Sequence, residues 1–220
     1  MFIGHFAPAL AAAAVSPRAP KLGTLFIAAQ LVDWAFFSFA IIGIEAMRID
    51  PTATAMVPYD LYHMPYTHSL LGTGVWAVIF GLLVFAILRE VVAGVLAAAV
   101  VASHWLLDFV THRPDLTLAG GDSFYGLGLW NLPWIAIPLE LGITIGAFYW
   151  YMKRTRGPIV PPLVLLSLLL IFQAINWFGP QPESVGLGLY LQALGAFGVA
   201  ALVARWVGDN RWHKRSRDWR

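Results

Sequence analysis

The chain has 220 residues, of which 59% are hydrophobic and only 12% are charged, and its net charge is +2 at pH 7. A soluble domain carries about 25% charged residues, so this composition excludes a soluble globular protein and predicts an integral membrane protein. Cysteine is absent, which excludes thiolate metal sites, cysteine nucleophiles and disulfide bonds.

The first element in the chain is the apolar stretch Met1–Ser16. A secretory signal is one interpretation, but the stretch lacks a basic start, and Arg18 and Lys21 follow it. We expect instead a short helix that enters from the outer side and packs on its neighbours. Pro17 and Pro20 would then make the turn into the next element.

Longer apolar stretches follow, each of about 20 residues, the length at which an α-helix crosses a bilayer. They are Leu22–Ile44, Ser69–Leu88, Val91–Val110, Leu127–Met152, Ile159–Phe178 and Val185–Val207. The expected fold is therefore all-α, a polytopic membrane helix bundle of six long transmembrane helices plus the short N-terminal membrane helix. No polar linker divides the chain, so a single membrane-embedded domain is expected over residues 1–208, followed by a basic tail over residues 209–220.

Basic residues alternate between the two sides of these stretches. They concentrate in loop 153–156 and in segment 211–220, whereas loops 45–66 and 111–126 are mainly acidic or neutral. Because cytoplasmic loops are enriched in Lys and Arg, the pattern predicts a multi-pass membrane protein with a cytoplasmic C-terminus. The basic tail is expected to contact anionic lipid headgroups and not nucleic acid.

Ionisable side chains interrupt the apolar stretches. A charge in hydrocarbon costs several kcal/mol, so such residues usually face a polar interior and have a function there. Counted at about 1.5 Å per residue from the cytoplasmic ends, several of them fall at a similar depth in the outer half of the membrane. The ionisable residues that interrupt or border the apolar stretches are His5, Asp33, His68, His104, Asp108, His112 and Glu140.

The densest part of this set lies in the third long stretch. His104 and Asp108 are four residues apart and share one helix face, and His112 lies one turn further along. An imidazole and a carboxylate at this spacing can converge on one ion. Structural hydrogen bonding is the alternative for a single residue such as Asp33, but the whole set would then need several polar partners without water.

Imidazoles and carboxylates without thiolates suit Zn²⁺, and Mn²⁺ or Fe²⁺ also accept them. We expect one or two divalent ions. Asp33 and Glu140 are either further ligands, partners that orient the ligands, or the catalytic general base that takes a proton from water. The expected metal ligands are His5, His68, His104 and Asp108.

The loop that follows these residues contributes the expected substrate-binding group, His112, Arg113 and Asp115. The Arg113 guanidinium suits an anionic oxygen of the substrate or charge that develops during catalysis. Glycines at 120, 121, 126 and 128 give the loop the freedom to lie over the site as a lid.

Several short motifs resemble the YdjM-like family of LexA-regulated inner-membrane proteins, which are described as metal-dependent hydrolases. The resemblance covers residues 1–140 in order, and the residues after 150 add nothing to it. It implies a location in the bacterial inner (plasma) membrane, a bound metal and hydrolysis. The motifs are Gly4-His5-Phe6, the stretch from Leu22 to Asp33, Tyr66-Thr67-His68-Ser69, Ser103-His104-Trp105-Leu106-Leu107-Asp108, His112-Arg113-Pro114-Asp115 and the stretch from Gly126 to Asn131.

The expected function is that of a membrane-embedded, metal-dependent hydrolase that acts on a lipid or lipid-linked phosphoester from the outer side of the membrane. Its expected partners are membrane lipids and that substrate. The alternative is a transporter that moves metal ions or protons through the same buried residues. A transporter would be expected to show repeat symmetry and polar residues that reach the cytoplasmic side, and neither is apparent. A third interpretation is a metal-stabilised scaffold without turnover.

Overall fold

The structure is a computed structural model that describes residues 1–214. Two short 3₁₀ helices, Ile3–His5 and Leu129–Asn131, lie at the edges of longer helices. The α-helices are α1 (Phe6–Val15), α2 (Leu22–Ala29), α3 (Leu31–Ile41), α4 (Leu70–Leu88), α5 (Val91–Thr111), α6 (Pro133–Arg154), α7 (Val160–Phe178) and α8 (Leu187–Asn210). The short strands are β1 (Ala46–Ile49), β2 (Tyr59–His63), β3 (Thr155–Arg156) and β4 (Trp212–His213).

The helical content confirms the predicted multi-pass membrane bundle. Among residues 1–214, 5 helices are long and apolar enough to cross a membrane, or up to 6 if α2 and α3 form one span. These helices are α4 to α8, and α1 is the short apolar N-terminal helix that the sequence predicted.

One span differs from its predicted form. The sequence predicted a continuous helix over Leu22–Ile44, but the chain breaks between α2 and α3 with a bend of 53°. Gln30 lies at the break with a non-helical backbone, and its buried side-chain amide donates a hydrogen bond to the Phe2 carbonyl over 3.2 Å. The polar side chain therefore faces the N-terminal segment, and the break leaves the final carbonyl of α2 available to partners outside its own helix.

The N-terminal segment forms part of the core. α1 packs against α2, α5 and α6, and Ile3, Phe6 and Ala9 are fully buried. Alanines occupy positions 11–14, and their small side chains allow neighbouring helices to approach α1 closely. The packing holds the segment that carries His5 at a defined position in the bundle.

α4 and α5 form a tight antiparallel pair whose approach depends on glycine. A Cβ added at Gly81 would lie 2.9 Å from the Gly94 carbonyl oxygen, and one added at Gly94 would lie 2.8 Å from the Gly81 carbonyl oxygen. Arg89 turns the chain between the helices in the left-handed conformation, with φ of 55°. This pairing fixes His68, just before α4, next to the second half of α5.

Two features at the ends of the bundle were not predicted from the sequence. Loop 45–66 contains the antiparallel hairpin of β1 and β2. The expected tail at 209–220 begins with ordered structure, because α8 continues through Asn210, and β4 pairs with β3. The buried Arg211 side chain explains this order, because it donates hydrogen bonds to Thr155 and to the carbonyls of Gly157 and Pro158. The remainder of the expected tail, residues 215–220, lies outside the described residues.

Candidate metal centre

Residues from four separate parts of the chain meet at one end of α5. His5 ends the first 3₁₀ helix, Asp33 lies in the first turn of α3, and His68 lies just before α4. His104 and Asp108 extend from α5 itself. All of these side chains are buried except that of Asp33, which is 20% exposed. The structure thus brings together the four residues predicted as ligands, and places Asp33 with them.

The first set of donor atoms comprises Asp33, His68 and His104, whose ligand atoms lie within 4.8 Å of one another. The His68 Nε2 atom is 3.3 Å from Asp33 Oδ1, and the His104 Nε2 atom is 3.7 Å from the same oxygen. Asp108 Oδ2 completes the set, at 3.1 Å from His104 Nε2 and 3.8 Å from His68 Nε2. We call these four groups, two imidazole nitrogens and two carboxylate oxygens, site 1.

A hydrogen bond to the backbone orients His104. Its Nδ1 atom lies 2.9 Å from the Ala29 carbonyl oxygen, at the end of α2. A carbonyl only accepts hydrogen bonds, so Nδ1 carries a proton, and in the neutral ring Nε2 presents a lone pair. That Nε2 atom is buried and has no well-aligned hydrogen-bond partner, although Asp108 Oδ2 lies 3.1 Å away. His104 is therefore held in the tautomer that a metal ion requires.

A two-step hydrogen-bonded chain orients His68. The Thr67 hydroxyl donates to Glu45 Oε2 over 2.6 Å and lies 2.9 Å from His68 Nδ1. Because the hydroxyl proton is directed to the carboxylate, the hydroxyl oxygen accepts from His68 Nδ1–H, and Nε2 again presents a lone pair to site 1. Sequence analysis missed Glu45. Its only signal was a lone carboxylate directly after an apolar stretch.

His112 and Asp115, predicted to bind substrate, form a third oriented imidazole. His112 Nδ1 lies 2.9 Å from Asp115 Oδ1, and a carboxylate accepts, so Nδ1 carries the proton. The Nε2 atom points towards Asp108 Oδ1 at 3.6 Å. His112 is buried, so it lies inside the cluster and not on its rim.

Glu140 supports the segment that carries His5. Its Oε1 atom accepts hydrogen bonds from the backbone N–H groups of Phe2, at 2.7 Å, and Gly4, at 3.0 Å. Gln173 similarly accepts from the N–H group of Ile3 over 3.1 Å. Among residues 1–214, Glu140 does not belong to either set of converging donor atoms. Of the roles considered for it, this geometry fits a partner that positions a ligand.

Arg113 joins the hairpin of β1 and β2 to the edge of the cluster. Its guanidinium pairs with the buried Asp60 of β2, and its Nε atom lies 3.6 Å from Asp115 Oδ2. Arg48 of β1 also binds Asp60, over 2.6 Å. Arg113 is 31% exposed, so part of its side chain remains accessible, and a role in substrate binding stays a prediction.

The expected lid loop is fixed at its base. Leu116 and Tyr125 pair across it, and the Gly128 N–H donates to the His112 carbonyl over 2.6 Å. Gly126 has φ of 157°, and a Cβ there would lie 2.3 Å from the Arg113 carbonyl oxygen. Glycine at this position therefore permits a close backbone contact next to the cluster.

No protein-family model, no curated protein and no solved structure matches the chain. Inferences about function therefore depend on the geometry of the buried His and Asp residues.

Proposed function

We propose that the protein is a membrane-embedded, metal-dependent hydrolase whose divalent ion is held at site 1 by Asp33, His68, His104 and Asp108. One observation carries the proposal. The His104 Nε2 atom is buried without a well-aligned hydrogen-bond partner, and in the neutral ring it presents its lone pair to two carboxylate oxygens.

An ion explains this arrangement better than hydrogen bonding does. An unprotonated nitrogen next to a carboxylate oxygen places two acceptors together, and an unsatisfied buried polar group costs about 1–3 kcal/mol. A cation between the two groups removes both problems. The donor set of two imidazoles and two carboxylates fits Zn²⁺, and also Mn²⁺ or Fe²⁺.

A bound divalent ion would lower the pKa of coordinated water to around 7 and polarise a phosphoryl oxygen. The side chains of the protein supply the rest. Asp33 is the most exposed member of site 1, so water and substrate reach the cluster from its side. Asp33 Oδ1 faces the ion site, and we assign Asp33 Oδ2 as the atom that accepts the proton from water. The water oxygen bonds to phosphorus, the ester P–O bond breaks, and the alcohol leaves with that proton.

The position of the cluster favours a lipid-like phosphoester. His104 lies about 10 Å from the end of α5, at 1.5 Å per residue, next to the loops predicted to be external. A headgroup ester can reach that depth while its acyl chains remain in the bilayer. The resemblance to YdjM-like proteins, which implies metal-dependent hydrolysis, agrees with this class of reaction.

The packing beyond the cluster supports hydrolysis over transport. α1 continues away from His5 through Phe6 and Leu10, and Phe26 and Leu25 of α2 pack in the same core, all of them buried. A transport route for ions would require polar groups along this part of the bundle.

The proposal is tested with purified protein in lipid nanodiscs. Phosphatidic acid, a lipid diphosphate, a carboxylic ester and an amide are supplied before and after removal of metal by a chelator. We expect phosphoester cleavage that is lost on chelation and restored by Zn²⁺ or Mn²⁺. The exposed His63 lies outside the cluster, so His63→Ala is the matched control for His104→Ala. Turnover of none of these substrates by metal-loaded protein, together with metal or proton flux in vesicles, would overturn the proposal in favour of transport.

A further inference from the structure

Asp108 directs its two oxygens to different imidazoles. Oδ2 faces His104 and His68 in site 1. Oδ1 lies 3.0 Å from His5 Nε2 and 3.6 Å from His112 Nε2. A carboxylate that divides its oxygens between two sets of nitrogen donors has the arrangement of a ligand that bridges two ions.

From this arrangement we propose a second divalent-cation site, site 2, formed by His5 Nε2, His112 Nε2 and Asp108 Oδ1. The inference rests on the proposed function, because Asp108 also belongs to site 1. It changes the role of His112 from substrate binding to metal ligation, and it makes Asp108 the shared ligand of a dinuclear centre.

The geometry of His112 is the main support for site 2. Asp115 accepts the Nδ1 proton, so a neutral His112 presents an Nε2 lone pair to an Asp108 oxygen. Two acceptors then face each other in a buried place at 3.6 Å. Either His112 carries a second proton, or a cation lies between the two groups, and the Met1 amino group, 2.9 Å from Asp108 Oδ1, already provides one positive charge beside that oxygen. The second solution also accounts for the matching orientation of His68 and His104.

His5 is free to act as a ligand in the same site. Its ring stacks on His104, with centroids 3.7 Å apart and an interplanar angle of 5°. The ligand atoms of His5, His104 and Asp108 lie within 4.8 Å of one another. Without an ion, His5 Nε2 donates a hydrogen bond to Asp108 Oδ1 over 3.0 Å. Binding of an ion at Nε2 would move that proton to Nδ1, which is buried and has no hydrogen-bond partner.

The local charge also favours additional cations. Buried charges are usually paired, yet when the four imidazoles of the cluster are neutral, carboxylates exceed cations around it in the described part of the chain. The cations in contact are the Arg48 and Arg113 guanidinium groups and the Met1 amino group, which lies 2.9 Å from Asp108 Oδ1. The carboxylates are those of Asp33, Glu45, Asp60, Asp108, Asp115 and Glu140.

A dinuclear centre fits the proposed substrate class. Two ions about 3.5–4 Å apart stabilise the attacking and leaving oxygens of an in-line displacement at phosphorus. Each oxygen of Asp108 would bind one ion of such a pair. Because a single carboxylate would bridge the two ions, they would have to lie close together.

The test is metal counting with Mn²⁺ on the full chain. Protein is loaded with manganese chloride, freed of excess ion, and analysed by elemental analysis and electron paramagnetic resonance. We expect two ions per chain and an exchange-coupled spectrum in the wild type. His112→Ala should retain one ion with an uncoupled spectrum, and the control His63→Ala should retain both.

The outcomes separate the two proposals. One uncoupled ion in the wild type, unchanged in His112→Ala, would overturn site 2 and leave site 1 in place, with the Met1 amino group as the cation near Asp108 Oδ1. No bound ion in the wild type would overturn both. If His112→Ala fails to insert, the ion count and spectrum of the wild type still decide the matter, and His112→Gln provides a second variant.

Discussion

The His104 imidazole donates through Nδ1 to the Ala29 carbonyl oxygen over 2.9 Å, and this bond joins the bend between α2 and α3 to the candidate metal centre. The last carbonyls of a helix lack partners within that helix, so a helix end is a ready acceptor for a neighbouring side chain. The bend has a second effect, because it starts α3 just before Asp33. A single break in a predicted span therefore orients one ligand of site 1 and places another.

Glu45 is predicted to control metal affinity without contacting the ion. Thr67→Val removes the hydroxyl that links Glu45 to His68, and His68 should then lose its fixed tautomer. Loss of such an outer partner typically lowers metal affinity about 10–100-fold. Competition with a fluorescent zinc chelator measures the change. Thr54→Val, in loop 45–66, is the matched control, and equal affinity of the two variants would show that this chain of hydrogen bonds has no role.

Glu140 is predicted to position the His5 segment and not to act as the general base. Glu140→Gln keeps a carbonyl oxygen that can accept from the N–H groups of Phe2 and Gly4, so most activity should remain. Glu140→Ala leaves two buried N–H groups without an acceptor, and should lower the melting temperature and the occupancy of the site that contains His5. Removal of a general base costs about 10²–10⁴-fold in rate. A loss of that size in Glu140→Gln, with unchanged metal content, would assign the base role to Glu140.

Gly126→Ala is predicted to displace the loop that follows α5. The new Cβ would lie 2.3 Å from the Arg113 carbonyl oxygen, at a φ of 157° that side chains rarely adopt. Such backbone strain costs about 1–3 kcal/mol, and the displacement should also move His112. Thermal unfolding in detergent measures the effect. Gly146→Ala is the control, because a Cβ there meets no atom within 4 Å. Equal melting temperatures for the two variants would contradict the prediction.

Arg113 is predicted to contribute to substrate binding in addition to its pair with Asp60. Arg113→Lys should raise the KM for a phosphoester lipid, because an ammonium group cannot reproduce a two-pronged guanidinium contact. Arg48→Lys alters the other partner of Asp60 and serves as the control for a purely structural effect on the hairpin. Steady-state kinetics on both variants distinguish the roles, and equal KM values would show that Arg113 acts only through Asp60.

Hydropathy was sufficient to predict the helices α4 to α8, because each contains one long apolar stretch between polar loops. It could not predict the break at Gln30, because one polar residue barely changes the mean over a 20-residue stretch. The rarity of charges in membrane helices pointed to His5, His68, His104 and Asp108. The partners that orient them were not visible in the sequence, because Glu45 lies in a loop and the Ala29 carbonyl belongs to the backbone.

Glu140 was identified from the sequence as a candidate, but its partners could not be predicted. Its rarity in an apolar stretch made it a candidate ligand or base, yet its partners are backbone N–H groups. Those contacts arise only because the N-terminal segment packs inside the bundle. The type of a buried residue therefore predicts that it has a polar partner, whereas the fold decides which partner that is.

The central claim, that the buried cluster holds a divalent ion, is tested most directly by the metal content of a double variant. His104→Ala with Asp108→Ala removes one imidazole of site 1 and the carboxylate shared by both proposed sites. Elemental analysis of the purified wild type should find bound Zn²⁺, Mn²⁺ or Fe²⁺, and the double variant should lose it while circular dichroism shows the same helix content. Equal metal content in wild type and double variant would contradict the account.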